Sequence, residues 1–261
     1  MIVSISRIKL FKACRRAYEL KYIHELEPVE KAEALETGIT YHEMLEELYK
    51  EGDFLNIEEE YSKEQAMAVA YKKYIYSHFK VKSVEDWFEY ELPDGDKLIG
   101  RTDGIAEDGA LVEHKTTSQE IGEDYEYNLQ WDEQILAYML ATGTRKMWYT
   151  VCRKPTIRQK KDESDEEFFQ RMVEWYDTDT SSKIRLLAVE RTDEEVEQFR
   201  RELVSMIDTM KKAESVGEFY KNCSHCNKYG RRCEYSSICL HYDPNQEYIE
   251  FRKRENTEQR R

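Results

Sequence analysis

Apolar residues recur at helical spacing through the first eighty positions. A first helix is predicted to begin at Ser4 or Ser6, because apolar residues return every three or four positions over residues 8–22. Two further helices are predicted over residues 39–52 and 62–80, the second opening with the capping pattern Ser-x-x-Gln. The N-terminal part is therefore predicted to be mostly helical.

From about residue 84 the apolar positions alternate instead. Short strands separated by the turns PDGD and EDG predict an antiparallel meander over residues 86–117. Helical and extended patterns then follow one another: helix 128–143, strand 145–154, helix 165–176, strand 183–192 and helix 193–216. Together they predict an α/β (α+β) fold with a central mixed sheet flanked by helices.

The chain is predicted to form one domain, because 261 residues with 40% apolar content can bury a sizeable core. Its parts are a helical N-terminal part, a core, a cysteine segment and a tail: 1–82, 83–217, 218–240 and 241–261. There is no stretch of about 20 apolar residues and no signal-peptide core, so we expect no membrane association and a cytoplasmic location. Cysteines there are more often reduced or metal-bound than paired in disulfides.

The net charge of −14 argues against a protein that coats nucleic acid by charge alone. Any contact with DNA must therefore be local. Two basic segments could provide it, RKPTIRQKK at residues 153–161 and RKRENTEQRR at residues 252–261. The alternative for each is a solvated loop or a frayed terminus.

Charged side chains occupy one face of a predicted strand. Glu113 and Lys115 lie two positions apart in LVEHKTTS, so they point the same way. A two-residue turn would place Asp103 opposite position 114, on the other face. A three-residue turn with Gly109 in the left-handed conformation would pair Asp103 with Glu113 and bring the carboxylates together.

Two carboxylates and an ammonium on adjacent strands have the chemistry of a divalent-cation site. Hard oxygen ligands suit Mg²⁺ or Mn²⁺, which acidify bound water and neutralise charge developing on a phosphate. Lys115 could position the attacking water, or take its proton if the metal depresses the pKa of the lysine. The alternative is a cross-strand salt bridge on an exposed sheet.

The segment GRTDGIAEDGALVEHKTT resembles the Asp and Glu-x-Lys signature of the PD-(D/E)XK nuclease superfamily. The whole motif order is similar to the RecB-like branch, which includes CRISPR-associated iron–sulfur exonucleases and phage relatives. This resemblance implies a restriction-endonuclease-like sheet. It also implies catalytic roles for Asp103, Glu113, Lys115, Gln134 and Tyr138, and metal ligation by His42, Asp103, Glu113 and the backbone carbonyl of His114.

Five of the six cysteines suggest a soft-metal site. Cys223, Cys226, Cys233 and Cys239 lie close together in the sequence, which would suit a local zinc site. The resemblance instead implies a 4Fe–4S cluster held by Cys14 together with Cys226, Cys233 and Cys239. Cys223 is then a spare thiol or a replacement for Cys226. The sixth, Cys152, follows an apolar strand and is expected to be a small buried side chain.

The resemblance implies a DNA exonuclease that acts on single-stranded ends, with recombination, replication or CRISPR adaptation proteins as partners. One alternative is a non-catalytic DNA-binding accessory subunit that keeps the fold and the cluster. Another is a zinc-stabilised interaction protein. The complete Asp, Glu and Lys set favours the enzyme.

Overall fold

The computed structural model describes residues 1–30, 33–54, 61–228 and 231–254. The α-helices are α1 (Ile5–Ala13), α2 (Arg15–Tyr18), α3 (Glu33–Glu51), α4 (Lys63–Tyr71), α5 (Glu123–Leu129), α6 (Glu133–Thr142), α7 (Asp165–Trp175) and α8 (Asp193–Val216). The strands are β1 (Ile2–Val3), β2 (Leu26–Pro28), β3 (Val81–Val84), β4 (Trp87–Glu91), β5 (Lys97–Arg101), β6 (Gly104–Ala106), β7 (Leu111–Thr117), β8 (Lys146–Arg153), β9 (Ile184–Glu190), β10 (Asn227–Lys228), β11 (Arg231–Arg232) and β12 (Phe251–Lys253). Short π-helical turns extend α2 and α4.

The chain divides into two compact units, which we call the cysteine unit and the sheet unit. The cysteine unit comprises Met1–Ala32, Glu89–Gly100 and Gln198–Arg261. The sheet unit comprises Glu33–Phe88 and Arg101–Glu197. That the chain is one domain stays a prediction.

The sheet unit contains a five-stranded mixed sheet in the order β3-β6-β7-β8-β9. Strands β7 and β8 are parallel, and the other neighbouring pairs are antiparallel. Helix α3 contacts β7, while α4 contacts β8 and α7. Aromatic and aliphatic side chains of α3 and α4 form one apolar core with the strands. The predicted mixed sheet with flanking helices is therefore confirmed.

The turn between β6 and β7 has the predicted three-residue form. Gly109 has a φ of 83°, and the Ala106 backbone N–H donates to the Ala110 carbonyl at 2.9 Å. Gly104 lies opposite Val112, which is the register that also aligns position 103 with Glu113. A Cβ at Gly104 would lie 2.7 Å from the Ser83 carbonyl oxygen, so the close approach of β3 requires glycine here.

Two predicted helices are interrupted. The first helix breaks at Cys14, whose extended backbone (φ −162°, ψ 112°) separates α1 from α2. The helix predicted over 128–143 breaks before Asp132, which caps α6. Apolar periodicity continues through both breaks in the sequence, and the pattern therefore does not reveal them.

The extended segment predicted over 97–106 is two strands in different sheets. β5 belongs to a three-stranded sheet, β1-β5-β4, whereas β6 joins the five-stranded sheet. Between them, the Thr102 N–H donates to the Asp86 carbonyl at 2.9 Å, which takes this residue out of either ladder. The strands β1, β2, β3 and β12 were not predicted because each has only two to four residues.

The cysteine unit has a small core of its own. Cys14, Leu20, Tyr235 and Ile238 are buried together, and Tyr235 stacks on Phe251 of β12 with ring centroids 5.7 Å apart. Strand β12 pairs with β2 in an antiparallel manner. Among the residues that the structure describes, no helix has the length and apolar character needed to span a membrane.

Candidate functional site

The sheet unit brings the predicted acidic and basic side chains together. Asp103 immediately precedes β6, while Glu113 and Lys115 lie on β7. Helix α3 contributes His42, and Gln134 is the second residue of α6. Residues far apart in the sequence therefore meet because β6 and β7 are paired and α3 packs on β7.

Asp103 is fixed by two contacts, one to each carboxylate oxygen. Its Oδ2 accepts the His114 backbone N–H at 2.7 Å, and its Oδ1 lies 3.4 Å from Nδ1 of His42. Burial alone would raise the pKa of Asp103, but the charge and hydrogen bond of His42 lower it well below its usual range. Asp103 is therefore an anion, and its charge in turn raises the pKa of His42 against the effect of burial.

Glu113 is buried, with 2% of its surface exposed. Its Oε1 accepts a hydrogen bond from Lys115 Nζ and another from Gln134 Nε2 at 2.8 Å. Its Oε2 is buried and has no hydrogen-bond partner among the residues that the structure describes. Burial and then the charge of Asp103 raise the pKa of Glu113 to about 7.

Lys115 is held as a cation between carboxylates. Burial favours its neutral form, but the charges of Glu113 and Asp103 outweigh burial and raise its pKa. Its Nζ also donates to Gln134 Oε1 at 3.1 Å. The Glu113–Lys115 pair is therefore not a salt bridge on an exposed sheet, and Lys115 without metal is a donor of hydrogen bonds and positive charge.

Gln134 and Tyr138 lie on one face of α6, as their four-residue spacing predicts. Nε2 of Gln134 donates to the Tyr138 hydroxyl at 3.0 Å as well as to Glu113. The Tyr138 ring is 7% exposed and packs edge-on against Phe88, with centroids 5.2 Å apart. Tyr138 is thus a core aromatic residue whose hydroxyl orients Gln134.

The side chain of His114 belongs to the core behind the site. Its Nδ1 lies 2.6 Å from Thr150 Oγ1, and the ring packs edge-on against Tyr71 at 5.4 Å. Burial lowers the pKa of His114 to about 4, so the ring is neutral near pH 7. The backbone N–H of His114 reaches the site through its bond to Asp103, and the ring packs edge-on against His42 with centroids 6.1 Å apart.

Three acidic residues near the site were not predicted. Burial raises the pKa of Glu85, and the charge of Arg101 opposes this rise. The negative charges of Asp103 and Glu46 raise the pKa of Glu85 further. Glu46 lies four residues after His42 on α3, a spacing that could have identified it. Asp132 acts on Lys115 by its charge and could have been recognised as a helix cap.

The donor set fits a hard divalent cation. Glu113 Oε2 lacks a hydrogen-bond partner within the described part of the chain, and Asp103 Oδ1 lies 3.4 Å from Nδ1 of His42, so the pair offers two carboxylate oxygens. Within the described ranges, no three or more His, Cys, Asp or Glu side chains are grouped closely enough to hold a metal ion. Ligation by His42, Asp103 and Glu113 together would require their side chains to draw closer.

Four cysteines of the cysteine unit line one small cavity of about 30 Å³: Cys14, Cys226, Cys233 and Cys239. The Asn222 N–H donates to Cys14 Sγ at 3.4 Å, and Cys226 Sγ donates to the Asn222 carbonyl at 3.7 Å. Cys223 is exposed and does not line the cavity.

Cys152 is in the sheet unit, 1% exposed, as expected of a small core residue. Burial raises the pKa of its thiol to about 12.

The two basic segments differ in what the structure describes. Most of residues 156–161 are exposed in the connection between β8 and α7. In the C-terminal segment, Arg252 pairs with Glu27 at 3.3 Å, and residues 255–261 lie outside the described residues.

Comparison with known proteins gives one family. A family model described as the PD-(D/E)XK nuclease superfamily matches residues 2–240. No curated protein matches the sequence. Among solved structures, a candidate exonuclease of Eubacterium rectale is similar at 15% identity and TM-score 0.55, covering 94% of this chain and 90% of the other.

Two further structures are less similar. An alkaline exonuclease from Laribacter hongkongensis has 14% identity and TM-score 0.38, covering 83% of this chain and 95% of its own. A phage-related exonuclease from Haemophilus somnus has 16% identity and TM-score 0.35, covering 72% and 88%. The Eubacterium rectale structure alone among these three supports the fold.

Proposed function

The chain belongs to the PD-(D/E)XK nuclease superfamily, and on that premise we propose that it is a metal-dependent exonuclease that hydrolyses DNA from single-stranded ends. One observation carries the proposal. Glu113 holds a buried carboxylate oxygen that no described residue contacts by a hydrogen bond, beside the anionic Asp103 and the cationic Lys115. This combination leaves room for a cation and supplies a donor for a phosphate.

Asp103 and Glu113 would hold Mg²⁺ or Mn²⁺, with His42 and the backbone carbonyl of His114 as further ligands. Such an ion lowers the pKa of bound water and neutralises charge that develops on the phosphate. An imidazole ligand shifts the preference from Mg²⁺ toward Mn²⁺. His42 must give up its proton to bind a metal, which its contact with Asp103 opposes.

Lys115 acts as a fixed hydrogen-bond donor next to the scissile phosphate. Its ammonium orients the attacking water and stabilises negative charge on a non-bridging phosphate oxygen. Gln134 holds Lys115 through its carbonyl oxygen at 3.1 Å and Glu113 through its amide nitrogen at 2.8 Å. Gln134 therefore holds the Lys115 ammonium and the Glu113 carboxylate at a fixed separation.

The test is a cleavage assay on end-labelled linear single-stranded DNA, linear duplex DNA and circular single-stranded DNA, with Mn²⁺, Mg²⁺ or EDTA. We expect metal-dependent loss of the linear single strand, with the circle intact. Glu113→Ala and Lys115→Ala should each lower the rate by about a hundredfold or more, as loss of charge stabilisation does. The exposed control Lys82→Ala should cleave like wild type.

The same variants separate an enzyme from an accessory subunit. Glu113→Ala should still bind single-stranded DNA, measured by fluorescence anisotropy in EDTA, although it no longer cleaves. A wild-type protein that binds DNA and does not cleave it in either metal would be a non-catalytic DNA-binding protein instead. Cleavage of the circle would replace the exonuclease with an endonuclease.

We also propose that Cys14, Cys226, Cys233 and Cys239 hold a 4Fe–4S cluster. All four line one cavity, which supports this set over one that includes Cys223. Thiolates are the usual ligands of such clusters. The thiols must ionise and move closer together to bind iron, since the described side chains form no group that is ready to hold a metal.

Anaerobic purification followed by iron, sulfide and zinc analysis tests this set. We expect a broad visible absorption band that Cys226→Ser removes and that the matched variant Cys223→Ser retains. Zinc in place of iron would favour a zinc-stabilised site. A colourless protein with neither metal would contradict the cluster and leave the nuclease proposal unaffected.

A further inference from the structure

Two aromatic side chains are unusually exposed in the sheet unit. Trp131 is 68% exposed and Tyr127 is 57% exposed. Their ring centroids are 6.2 Å apart with an interplanar angle of 68°, so they form an edge-to-face contact. We call Tyr127 and Trp131 the aromatic pair. More than half of the surface of each residue is therefore open to solvent.

The aromatic pair lies close in sequence to residues of the candidate site. Trp131 immediately precedes Asp132, whose Oδ1 accepts the Gln134 backbone N–H at 3.0 Å. The backbone N–H of Trp131 donates to the Asn128 carbonyl at 3.2 Å, and this bond fixes the turn between α5 and α6. Trp131 is therefore three residues along the chain from Gln134, whose side-chain amide holds Glu113 and Lys115.

The segment that carries the aromatic pair is acidic in sequence. Residues 116–144 contain six acidic residues and no Lys or Arg. One of the six, Glu126, is paired with Arg185. Arg191, just after β9, donates to the Leu129 carbonyl at 2.7 Å and so brings a cation to this segment. The segment itself offers DNA its aromatic rings and no cation of its own.

We propose that the aromatic pair is a stacking platform for unpaired bases of the strand being cleaved. This inference rests on the proposed function and assigns a binding surface to its single-stranded substrate. Every base has a π-face, so stacking on Trp131 is tolerant of sequence. Bases of a duplex are already stacked and shielded by two phosphate backbones, so the platform selects single-stranded DNA over duplex.

The test compares two ligands that differ only in their bases. Fluorescein-labelled oligothymidylate and an abasic oligonucleotide of equal length are titrated in EDTA with wild type, Trp131→Ala, Tyr127→Ala and the conservative Trp131→Phe. Tyr61→Ala is the control, because Tyr61 is also exposed and contacts Phe169 of α7. Quenching of tryptophan fluorescence by oligothymidylate is followed in parallel.

We expect Trp131→Ala to weaken binding of oligothymidylate by about 5- to 100-fold and to leave binding of the abasic strand unchanged. Tyr127→Ala should have a smaller effect of the same kind. Trp131→Phe should retain most of the affinity and lose the fluorescence quenching. In Mn²⁺, Trp131→Ala should narrow the ratio of single-strand to duplex cleavage.

Equal losses on both strands, or no loss, would overturn the platform. No loss on either strand would mean that the aromatic pair does not bind DNA. If wild type cleaves single-stranded DNA and Trp131→Ala does so equally well, the platform alone fails and the nuclease stands. If wild type neither binds nor cleaves DNA in either metal, the proposed function fails and takes the platform with it.

Discussion

The Oε2 atom of Glu113 is buried and, within the described ranges, has no hydrogen-bond partner, in a carboxyl group whose other oxygen accepts two bonds. A buried acceptor left unpaired costs about 1–3 kcal/mol, and native proteins contain few of them. The raised pKa of Glu113 reports the same cost, since the site favours the protonated form when no cation is present. A divalent ion removes both penalties, which is why this atom carries the argument for a metal.

Glu113 makes the metal-free protein less stable as pH rises. Its pKa is near 4.5 when unfolded and about 7 when folded, so the folded state holds the proton longer. Its contribution is fully present below about pH 4.5 and is lost as pH rises through 7. Between about pH 5 and pH 8 in EDTA, we expect wild type to lose about 1–3 kcal/mol more free energy of unfolding than Glu113→Gln.

Urea unfolding at the two pH values measures this difference. Glu194→Gln, an exposed position on α8, should follow wild type. Adding Mn²⁺ at pH 8 should stabilise wild type and leave Glu113→Gln unchanged, because metal ligation requires the carboxylate. Parallel curves for wild type and Glu113→Gln in EDTA would contradict the raised pKa.

His42 is expected to set the metal preference. Its Nδ1 is 3.4 Å from Asp103, close enough for both to approach one ion after small movements. His42→Ala should lower cleavage with Mn²⁺ more than with Mg²⁺, because nitrogen ligands favour the transition metal. The ratio of the two rates is the measurement, with the exposed His78→Ala as control. An unchanged ratio in His42→Ala would exclude His42 as a ligand.

The sequence predicted the central residues because their positions follow from simple geometry. The two-residue spacing places Glu113 and Lys115 on one face, and Gly109 identifies the turn that aligns Asp103 with them. Glu85 could not be predicted in the same way. Its position near Asp103 depends on a backbone bond from the Glu85 N–H to the Asp103 carbonyl, between segments that sequence pattern does not pair.

Helix α6 positions Gln134, and its N-terminus depends on Asp132. The Asp132 side chain accepts the Gln134 backbone N–H, so loss of the cap loosens the residue that holds Glu113 and Lys115. Asp132→Ala should cost about 1 kcal/mol of stability, typical of a lost cap. It should also reduce kcat, because the side-chain amide of Gln134 would no longer be held in place against Glu113 and Lys115.

A matched cap elsewhere distinguishes these effects. Ser164 caps α7 in a full capping box with Glu167, away from the predicted site residues in sequence. Ser164→Ala should cost a similar amount of stability, measured by urea unfolding, and leave kcat unchanged. Asp132→Asn keeps the cap and removes the charge, so it should retain stability. Equal activity of Asp132→Ala and Ser164→Ala would show that the cap does not position Gln134.

Two helix breaks are among the differences between predicted and observed elements. Both Cys14 and Asp132 interrupt segments whose apolar spacing continues across the break. At the first break Cys14 lines the cysteine cavity, and at the second the Asp132 side chain accepts the backbone N–H of Gln134. Periodicity reports which face is buried, whereas the direction of the chain after a break depends on tertiary contacts.

At the scale of the whole molecule, an acidic protein must confine its contacts with DNA. The net charge of −14 leaves little long-range attraction for a polyanion. Lys115 supplies a cation at the site, and the aromatic pair supplies affinity that does not depend on charge. Sequence composition predicted local contacts with DNA, and the three-residue separation of Trp131 and Gln134 already places them close together.

The four cavity cysteines join distant parts of the sequence within the cysteine unit. Cys14 and Cys226 are separated by more than 200 residues and line the same cavity. A cluster held there removes conformational freedom from the unfolded chain, as any cross-link closing a long loop does. Metal loss should therefore loosen the two cysteine-bearing segments together, although each has its own backbone hydrogen bonds.

Hydrogen exchange with and without bound metal measures this coupling. The amides of Cys14, Cys233 and Cys239 donate to backbone carbonyls at 2.9 Å. Their exchange should become about tenfold faster or more in the metal-free protein and in Cys226→Ser, while amides of the β7–β8 ladder stay unchanged. Cys223→Ser should match wild type. Faster exchange at only one of the two segments would show that the cysteines do not act as a single clamp, because a shared cluster must release both ends when it is lost.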